Sequence, residues 1–391
     1  MKSPDKRAYE HVQQLAGEIG CRMIATPGYH AAGGYISEVL AAFGYEVEVQ
    51  SIDFPYWFAE ETRLEVNGKP IEVVPNVFSP PCRVSAPLVP LGTLAELEAA
   101  DLAHCIPVLY GHLAREPLAV KEAFYASEDD HRVIQVLEEK RPPAAITVHP
   151  YLHTRWALIE DYQFAIPSVT APAEEGLGLI RSAGQTAHLQ IHSQSKAGQA
   201  KNLIARLPSA SGKRLVLCAH YDTKINTPGA WDNASGVGVL LTLAEILAQR
   251  QPAPPVELVF FGGEEYSMSV DQAYINQFDK PSEEILAAIN LDGIGHALKT
   301  TTLALFEVPV AIEQSARAVI QQFPGVMQTE PWPASDHSWF YPRGIPSLAV
   351  SQTGLLNLDF AHTLDDHLGW LSPAKLDEAV SLTGKLTRLF V

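Results

Sequence analysis

Residues 214–222 read RLVLCAHYD and residues 256–265 read VELVFFGGEE, and both runs are almost wholly apolar until their last few positions. Apolar residues at successive rather than alternate positions are typical of a strand that is buried on both faces. Such strands lie in sheets that are largely parallel and are covered by helices on both sides. The two runs therefore predict an α/β domain whose strands end in charged side chains.

The same pattern continues on both sides of these two runs. Further strand-like runs are NLIARLP (202–208), AAINLDGIG (287–295), TTLALF (301–306) and IPSLAVSQ (345–352). Helical spacing of apolar residues occurs near 233–250, 268–279, 309–323 and 372–390. The alternation predicts a mostly parallel or mixed sheet sandwiched by helices.

The first half of the chain has a different character. Residues 6–19 and 30–43 have helical spacing and residues 45–52 alternate as a strand, but after Pro55 the chain consists of short β-like runs with many prolines. We therefore expect a catalytic domain made of residues 1–54 and 196–391. Residues 55–195 are predicted to form a smaller, β-rich inserted domain.

Acidic and histidine residues follow the predicted strands. They are His220, Asp222, Asp232, Glu264, Glu265, Asp292 and His362. In open α/β sheets the site lies beyond the carboxyl ends of the strands, so we expect these side chains to lie close together. Two imidazoles and several carboxylates can hold two divalent metal ions around an activated water. The pattern therefore favours a hydrolase.

Each of these residues also has a plainer explanation. Asp232 can cap the helix that follows it, and Asp292 precedes a glycine, as turn residues often do. Glu264 and Glu265 can be solvated loop carboxylates, and His362 can be a surface histidine. The combination at successive strand ends is what favours a metal site.

The motifs HYDT, GAWDNASG, GGEE, NLDGIG and HTLDD, in this order, resemble those of the M28 metallopeptidases. This family consists of zinc aminopeptidases with a phosphorylase/hydrolase-like fold. The resemblance implies that fold for residues 1–54 and 196–391. It also implies a cis peptide bond between Asp232 and Asn233.

The resemblance implies two zinc ions with shared ligation. His220 and Asp292 would bind one ion, Glu265 and His362 the other, and Asp232 would bridge them. Mixed histidine and carboxylate ligation suits zinc, although cobalt and manganese fit as well.

The same resemblance assigns the catalytic roles. Glu264 becomes the general base, which takes a proton from a water activated by the two ions, and Asp222 becomes the partner of His220. The segment SDHSWF (335–340) is similar to one that lines the substrate site in the family, so Asp336 and His337 are candidates for substrate contacts.

Within the predicted insert, three segments resemble a protease-associated domain. They are CIPVLYG (105–111), PPAAITVHP (142–150) and IPSVTAPAEEGLGLI (166–180). Such a domain would flank the cleft and restrict or bind substrate. A structural lid or a dimer surface is an equally good interpretation.

These features together predict a two-zinc aminopeptidase that removes N-terminal residues from peptides. A carboxypeptidase of the same family would need cations to hold a terminal carboxylate, and Arg343 is the only arginine between residues 331 and 370. A glutaminyl cyclase would use one metal. A non-catalytic binding protein on a peptidase scaffold would have lost metal ligands.

Trp332, Trp339 and Phe340 are predicted to wall an apolar pocket for the first residue of the peptide.

Composition limits the partners. The 391 residues contain 28 Lys and Arg against 45 Asp and Glu, a net charge of −17, which argues against a nucleic-acid partner. No apolar run approaches the ~20 residues that span a bilayer, and MKSPDKRAYEHVQQL lacks a secretory signal. We expect a cytoplasmic enzyme with a peptide substrate, no membrane contact and possible homo-oligomers.

Overall fold

The computed structural model describes residues 7–115, 117–118, 121–122, 127–208, 212–250, 254–354 and 360–390. The chain divides into two compact units. One consists of Met1–Asp53 and Gln199–Val391, and the other of Phe54–Gly198.

The helices and strands are numbered here in chain order. The strands are β1 (Glu46–Val66), β2 (Lys69–Ile71), β3 (Val74–Pro75), β4 (Cys82–Leu91), β5 (Ile106–Leu109), β6 (Ala145–Val148), β7 (Ser168–Ala171), β8 (Thr186–Arg206), β9 (Arg214–His220), β10 (Val256–Phe261), β11 (Ile285–Leu291), β12 (Thr301–Phe306), β13 (Val326–Gln328) and β14 (Ser347–Gln352). The α-helices are α1 (Arg7–Val12), α2 (Pro27–Ala42), α3 (Leu94–Ala99), α4 (Glu128–Lys140), α5 (Ala173–Arg181), α6 (Ser235–Arg250), α7 (Met268–Asn276), α8 (Pro281–Glu284), α9 (Val310–Ile320) and α10 (Pro373–Leu386).

The larger unit is built on one mixed sheet with the strand order β13-β12-β14-β11-β9-β10-β8. Strands β14, β11, β9 and β10 run parallel to one another at its centre. Strand β12 is antiparallel to β14, and the last residues of β8 are antiparallel to β10. The predicted fold class, a mixed sheet flanked by helices, is confirmed.

Burial on both faces explains why the central strands are apolar throughout. Val216 and Cys218 of β9 pack with Tyr274 and Ile275 of α7 in one buried cluster. The alternate residues of β9 point to the opposite face, where α6 packs on β9, β10 and β11 and also contacts α1 and α10. Gly238 of α6 allows the close approach of α1, because a Cβ atom there would lie 2.6 Å from a backbone oxygen of α1.

The smaller unit has its own sheet and core. Strands β4, β5, β6 and β7 are parallel, and β3 and the first part of β8 pair antiparallel with β7 and β4 at the two edges. Two apolar clusters cover it, one containing Leu179 of α5 and the other Val133 and Leu137 of α4. The resemblance of this unit to a protease-associated domain stays a prediction.

Among the residues that the structure describes, no helix combines the length and the apolar character needed to cross a membrane.

Candidate metal centre

Three neighbouring parallel strands bring the first site residues to one edge of the sheet. Cys218 of β9 lies opposite Asn290 of β11, so that His220 and Asp292 each follow two residues further along. Phe261, the last residue of β10, lies opposite His220, and the GGEE segment comes directly after it. The parallel register therefore makes these strand ends converge.

Asp232 lies between the two histidines. Its Oδ1 is 3.2 Å from Nε2 of His220, and its Oδ2 is 3.2 Å from Nε2 of His362. Oδ1 of Asp292 is 3.5 Å from Nε2 of His220, and Oε2 of Glu265 is 3.3 Å from Nε2 of His362. We call His220, Asp232 and Asp292 the His220 half, and Asp232, Glu265 and His362 the His362 half. In each half the ligand atoms all lie within 4.8 Å of one another.

The donor set fits divalent cations. Oδ1 of Asp292 and Oε1 of Glu265 are buried and have no hydrogen-bond partner within the part of the chain that the structure describes. A buried carboxylate oxygen without a donor is costly, and a metal ion is one of the few partners that satisfies it. One histidine and two carboxylates for each ion, with one carboxylate shared, match the ligands that zinc accepts.

The site concentrates negative charge in a buried place. Burial, opposed by His362 and reinforced by Asp232, raises the pKa of Glu265 to about 8. Burial lowers the pKa of His362, but Glu265 and Asp232 outweigh it and raise that pKa to about 9. The pKa of Asp232 is lowered despite its burial, because both histidines contact it. Crowded carboxylates of this kind favour the uptake of a cation.

Glu264 differs from Glu265 in its surroundings. It groups with His220 and Glu265, with one ligand atom from each within 4.8 Å of the others, yet its side chain is partly exposed. Burial, opposed by His220 and reinforced by Asp292 and Asp232, raises the pKa of Glu264 to about 7. Glu264 as a whole is therefore partly open to solvent, and the pKa of its carboxyl group lies close to neutral pH.

Asp222 links the two halves. Its Oδ1 lies 3.4 Å from Nδ1 of His220, within ion-pair distance, although the two groups are not aligned as a hydrogen bond. Its Oδ2 accepts a hydrogen bond from the backbone N–H of Glu265 at 3.1 Å. Asp222 is fully buried, so both contacts lie in a low-dielectric environment.

The segment before α6 has the predicted cis peptide bond between Asp232 and Asn233. The side chain of Asn233 donates to the backbone oxygen of Leu291 at 2.9 Å and accepts from the backbone N–H of Gly236 at the same distance. Gly236 is needed here, because a Cβ atom would lie 2.3 Å from the oxygen of Leu291. The DNASG motif thus fixes the start of α6 against the end of β11.

Two residues that support this segment were not singled out from the sequence. Asp366 accepts hydrogen bonds from the backbone N–H groups of Trp231 and Asp232. Arg22 is fully buried and donates to the backbone oxygens of Tyr221, Pro228 and Gly229, which lie in the loop between β9 and α6. Asp366 is visible in HTLDD, whereas no pattern in the sequence connects Arg22 with this loop.

The SDHSWF segment contacts the His220 half through Ser335. The hydroxyl of Ser335 donates to Oδ2 of Asp292 at 2.6 Å and accepts from the side chain of Asn290 at 2.8 Å. Asp336 and His337 are both fully buried, and Nε2 of His337 lies 3.0 Å from the backbone oxygen of Trp332. Contact of Asp336 and His337 with a substrate stays a prediction.

The aromatic residues proposed for a substrate pocket lie mostly in the core. Phe340 is fully buried and Trp339 is 7% exposed, and both pack in the cluster that contains Tyr274 and Ile345. Trp332 packs beside Phe306. The expectation that Phe340 walls an open pocket is therefore not met, because the turn directs this ring into the interior.

Comparison with known proteins finds a family model, related sequences and solved structures that this chain resembles. Residues 202–387 match the model of peptidase family M28. The chain is similar to a probable lipoprotein aminopeptidase, LpqL, of Mycobacterium tuberculosis, with 25% identity over 66% of this chain and 52% of the relative. The structure superposes on BSAP, a zinc aminopeptidase from Bacillus subtilis, with a TM-score of 0.80, 22% identity, and coverage of 97% of this chain and 94% of the other.

A glutaminyl cyclase from Porphyromonas gingivalis shares the fold less closely, with a TM-score of 0.55, 18% identity, and coverage of 99% of this chain and 98% of the other. The chain spans about half the length of the curated relatives that it matches, 52% and 54% for two of the aminopeptidases.

Proposed function

We propose that this chain, whose residues 202–387 match the model of peptidase family M28, is a member of that family. On that premise we propose an aminopeptidase that works with two divalent ions, which we take to be zinc. One observation carries the proposal: each carboxylate oxygen of Asp232 lies 3.2 Å from a different histidine. A bidentate carboxylate with a complete ligand set on each side is suited to hold two ions a few Å apart.

We assign each half one ion. In the His220 half, Asp292 completes the set and Ser335 orients its second oxygen. In the His362 half, Glu265 completes the set. Asp222 connects the two halves and helps to orient a ligand in each. One of its oxygens faces the ring of His220, and the other accepts a hydrogen bond from the backbone N–H of Glu265.

Bound ions would supply Lewis-acid charge, which lowers the pKa of water and stabilises a developing oxyanion. The protein's own part is proton transfer by Glu264. The residue is partly exposed and burial raises the pKa of its carboxyl group to about 7, so it can take a proton from the attacking water and return it to the nitrogen of the leaving amine. Asp336 and His337 remain candidates for substrate contacts, and both are fully buried in this structure.

LpqL and BSAP are both named aminopeptidases. An aminopeptidase acts on a free N-terminus, so these similarities favour a peptide with an unblocked N-terminus as the substrate. A carboxypeptidase would need a cation for the terminal carboxylate. Arg343 donates from its Nη1 to the backbone oxygen of Trp339, and Nζ of Lys224 donates to the backbone oxygen of Glu265. A glutaminyl cyclase would need one ion only, whereas both halves here have three ligands. The cytoplasmic location and a homo-oligomeric state stay predictions from the sequence.

The test is mass spectrometry of one peptide in two forms, incubated with the zinc-loaded protein. We expect stepwise loss of residues from the free N-terminus and no cleavage of the N-acetylated form. Equal cleavage of both forms, or trimming from the C-terminus, would contradict the aminopeptidase proposal. A peptide that begins with glutamine and loses 17 mass units without cleavage would indicate a cyclase.

A further inference from the structure

Lys224 lies beside one half of the metal centre. It belongs to the loop after β9, and its Nζ is 3.6 Å from Oε2 of Glu265 and donates to the backbone oxygen of the same residue. The lysine side chain is 14% exposed and that of Glu265 is 3% exposed. Two charged groups are thus held together where water screens them little.

The position of the ammonium group is fixed from several sides. Nζ lies 4.5 Å from the centre of the Tyr266 ring, in a cation–π contact. The hydroxyl of Tyr266 accepts a hydrogen bond from the backbone N–H of Ile225 at 2.7 Å, which ties the ring to the loop. Lys224 therefore does not depend on its pair with Glu265 to stay in place.

The ammonium group acts unequally on the two halves. Oε2 of Glu265, the oxygen that faces His362 at 3.3 Å, is the same oxygen that Nζ approaches at 3.6 Å. Resting on the two-ion proposal above, we propose that Lys224 weakens the binding of the ion in the His362 half and leaves the ion in the His220 half tightly bound. The ammonium competes for the lone pairs of Oε2 and repels a cation held by that oxygen.

Burial adds to this difference. His220 is 1% exposed, whereas the side chain of His362 is 19% exposed. The His362 half is therefore the one from which an ion can leave to solvent. In this arrangement the ion in the His362 half exchanges with zinc in solution, and the charge of Lys224 sets its affinity.

The experiment titrates metal-free protein with zinc alone, using a competing chelator and calorimetry. Two ions that share a carboxylate bind in unequal steps in any case, so the effect of the lysine is read from variants. We expect Lys224→Met to lower the Kd of the second step at least about tenfold and to change the first step less than about threefold. Lys224→Arg keeps the charge and should behave like the wild type.

Three further variants make the test specific. Lys213→Met removes the same charge from an exposed position before the start of β9, and it should leave both steps unchanged. Lys224→Gln keeps a hydrogen-bond donor without the charge and should act like Lys224→Met, so it carries the test if the methionine variant does not fold. In a His362→Ala background, which should bind one ion, Lys224→Met should change the Kd less than about threefold.

A second step that stays unchanged or weakens in the Met and Gln variants overturns this inference, because the lysine would then only hold the Glu265 backbone in place. An equal tightening of zinc binding in the His362→Ala background overturns it too. If the wild type itself binds no zinc, it is the two-ion proposal that fails.

Discussion

Asp366 and Asp232 are joined by a hydrogen bond in which Oδ2 of Asp366 accepts from the backbone N–H of Asp232 at 3.0 Å. Oδ1 of the same carboxylate accepts from the N–H of Trp231 at 2.7 Å. One buried side chain therefore holds two successive peptide groups, and with them the direction in which Asp232 presents its oxygens to the two histidines.

Replacing Asp366 by alanine should weaken zinc binding by about 10- to 100-fold, the usual effect of losing a residue that orients a ligand. Asp366→Asn should have a smaller effect, because the amide oxygen still accepts from one of the two N–H groups. The measurement is a zinc titration with a chelator. Asp365→Asn is the matched control, since Asp365 is exposed. Unaltered affinity in Asp366→Ala would mean that the cis peptide segment is held without this carboxylate.

The sequence predicted the sheet better than it predicted the order of the strands. Runs such as 256–261 are almost wholly apolar because both faces of β10 are buried, and this requirement is visible in any single strand. The antiparallel direction of β12 next to β14 is set by the connections and not by the strand residues. Strand order and direction therefore had to come from the structure.

The same limit applies to the site. His220 is the last residue of β9, and Asp292 and the glutamates come within a few residues of the ends of β11 and β10. The parallel register alone therefore brings them together. Arg22 lies 207 positions before Gly229, whose backbone oxygen it holds. A contact of this kind uses the backbone, which every residue has, and leaves no mark in the sequence near either partner. Residues that bind metals are recognisable by type, whereas residues that hold loops are not.

Glu264→Gln should lower kcat by at least ~10²-fold and leave zinc content unchanged, because it removes a proton acceptor without removing a proposed ligand. Glu265→Gln should instead lower zinc content, since a neutral amide is a poor replacement for a carboxylate ligand. Elemental analysis and peptide hydrolysis on the same samples separate the two roles. Loss of zinc in the Glu264 variant alone would reverse the assignment of the two glutamates.

Asp222→Asn keeps the size of the side chain and removes its charge. We expect zinc affinity to fall by about 10- to 100-fold, because the amide no longer stabilises the ring of His220 and faces the backbone N–H of Glu265 less favourably. Both binding steps should weaken, since Asp222 contacts a residue of each half. A change confined to one step would show that only one of these two contacts matters.

The proton affinities of the His362 half predict how zinc binding depends on pH. In the metal-free protein the pKa of His362 is raised to about 9 and that of Glu265 to about 8, so near pH 7 both groups hold protons. Zinc binds the deprotonated forms, and binding of the second ion must therefore release protons. The affinity of the second step should rise with pH, by roughly tenfold per unit for each proton displaced. It should level off only when the pH is well above the pKa of His362, about 9, where no proton remains to be displaced. Competition titrations at pH 6, 7 and 8 measure the slope, and calorimetry at pH 7 in two buffers of different ionisation enthalpy counts the protons.

The His362→Ala variant provides the control, because it should lose the second step and its proton release together. A second step that is independent of pH between 6 and 8 would place the second ion on ligands other than Glu265 and His362.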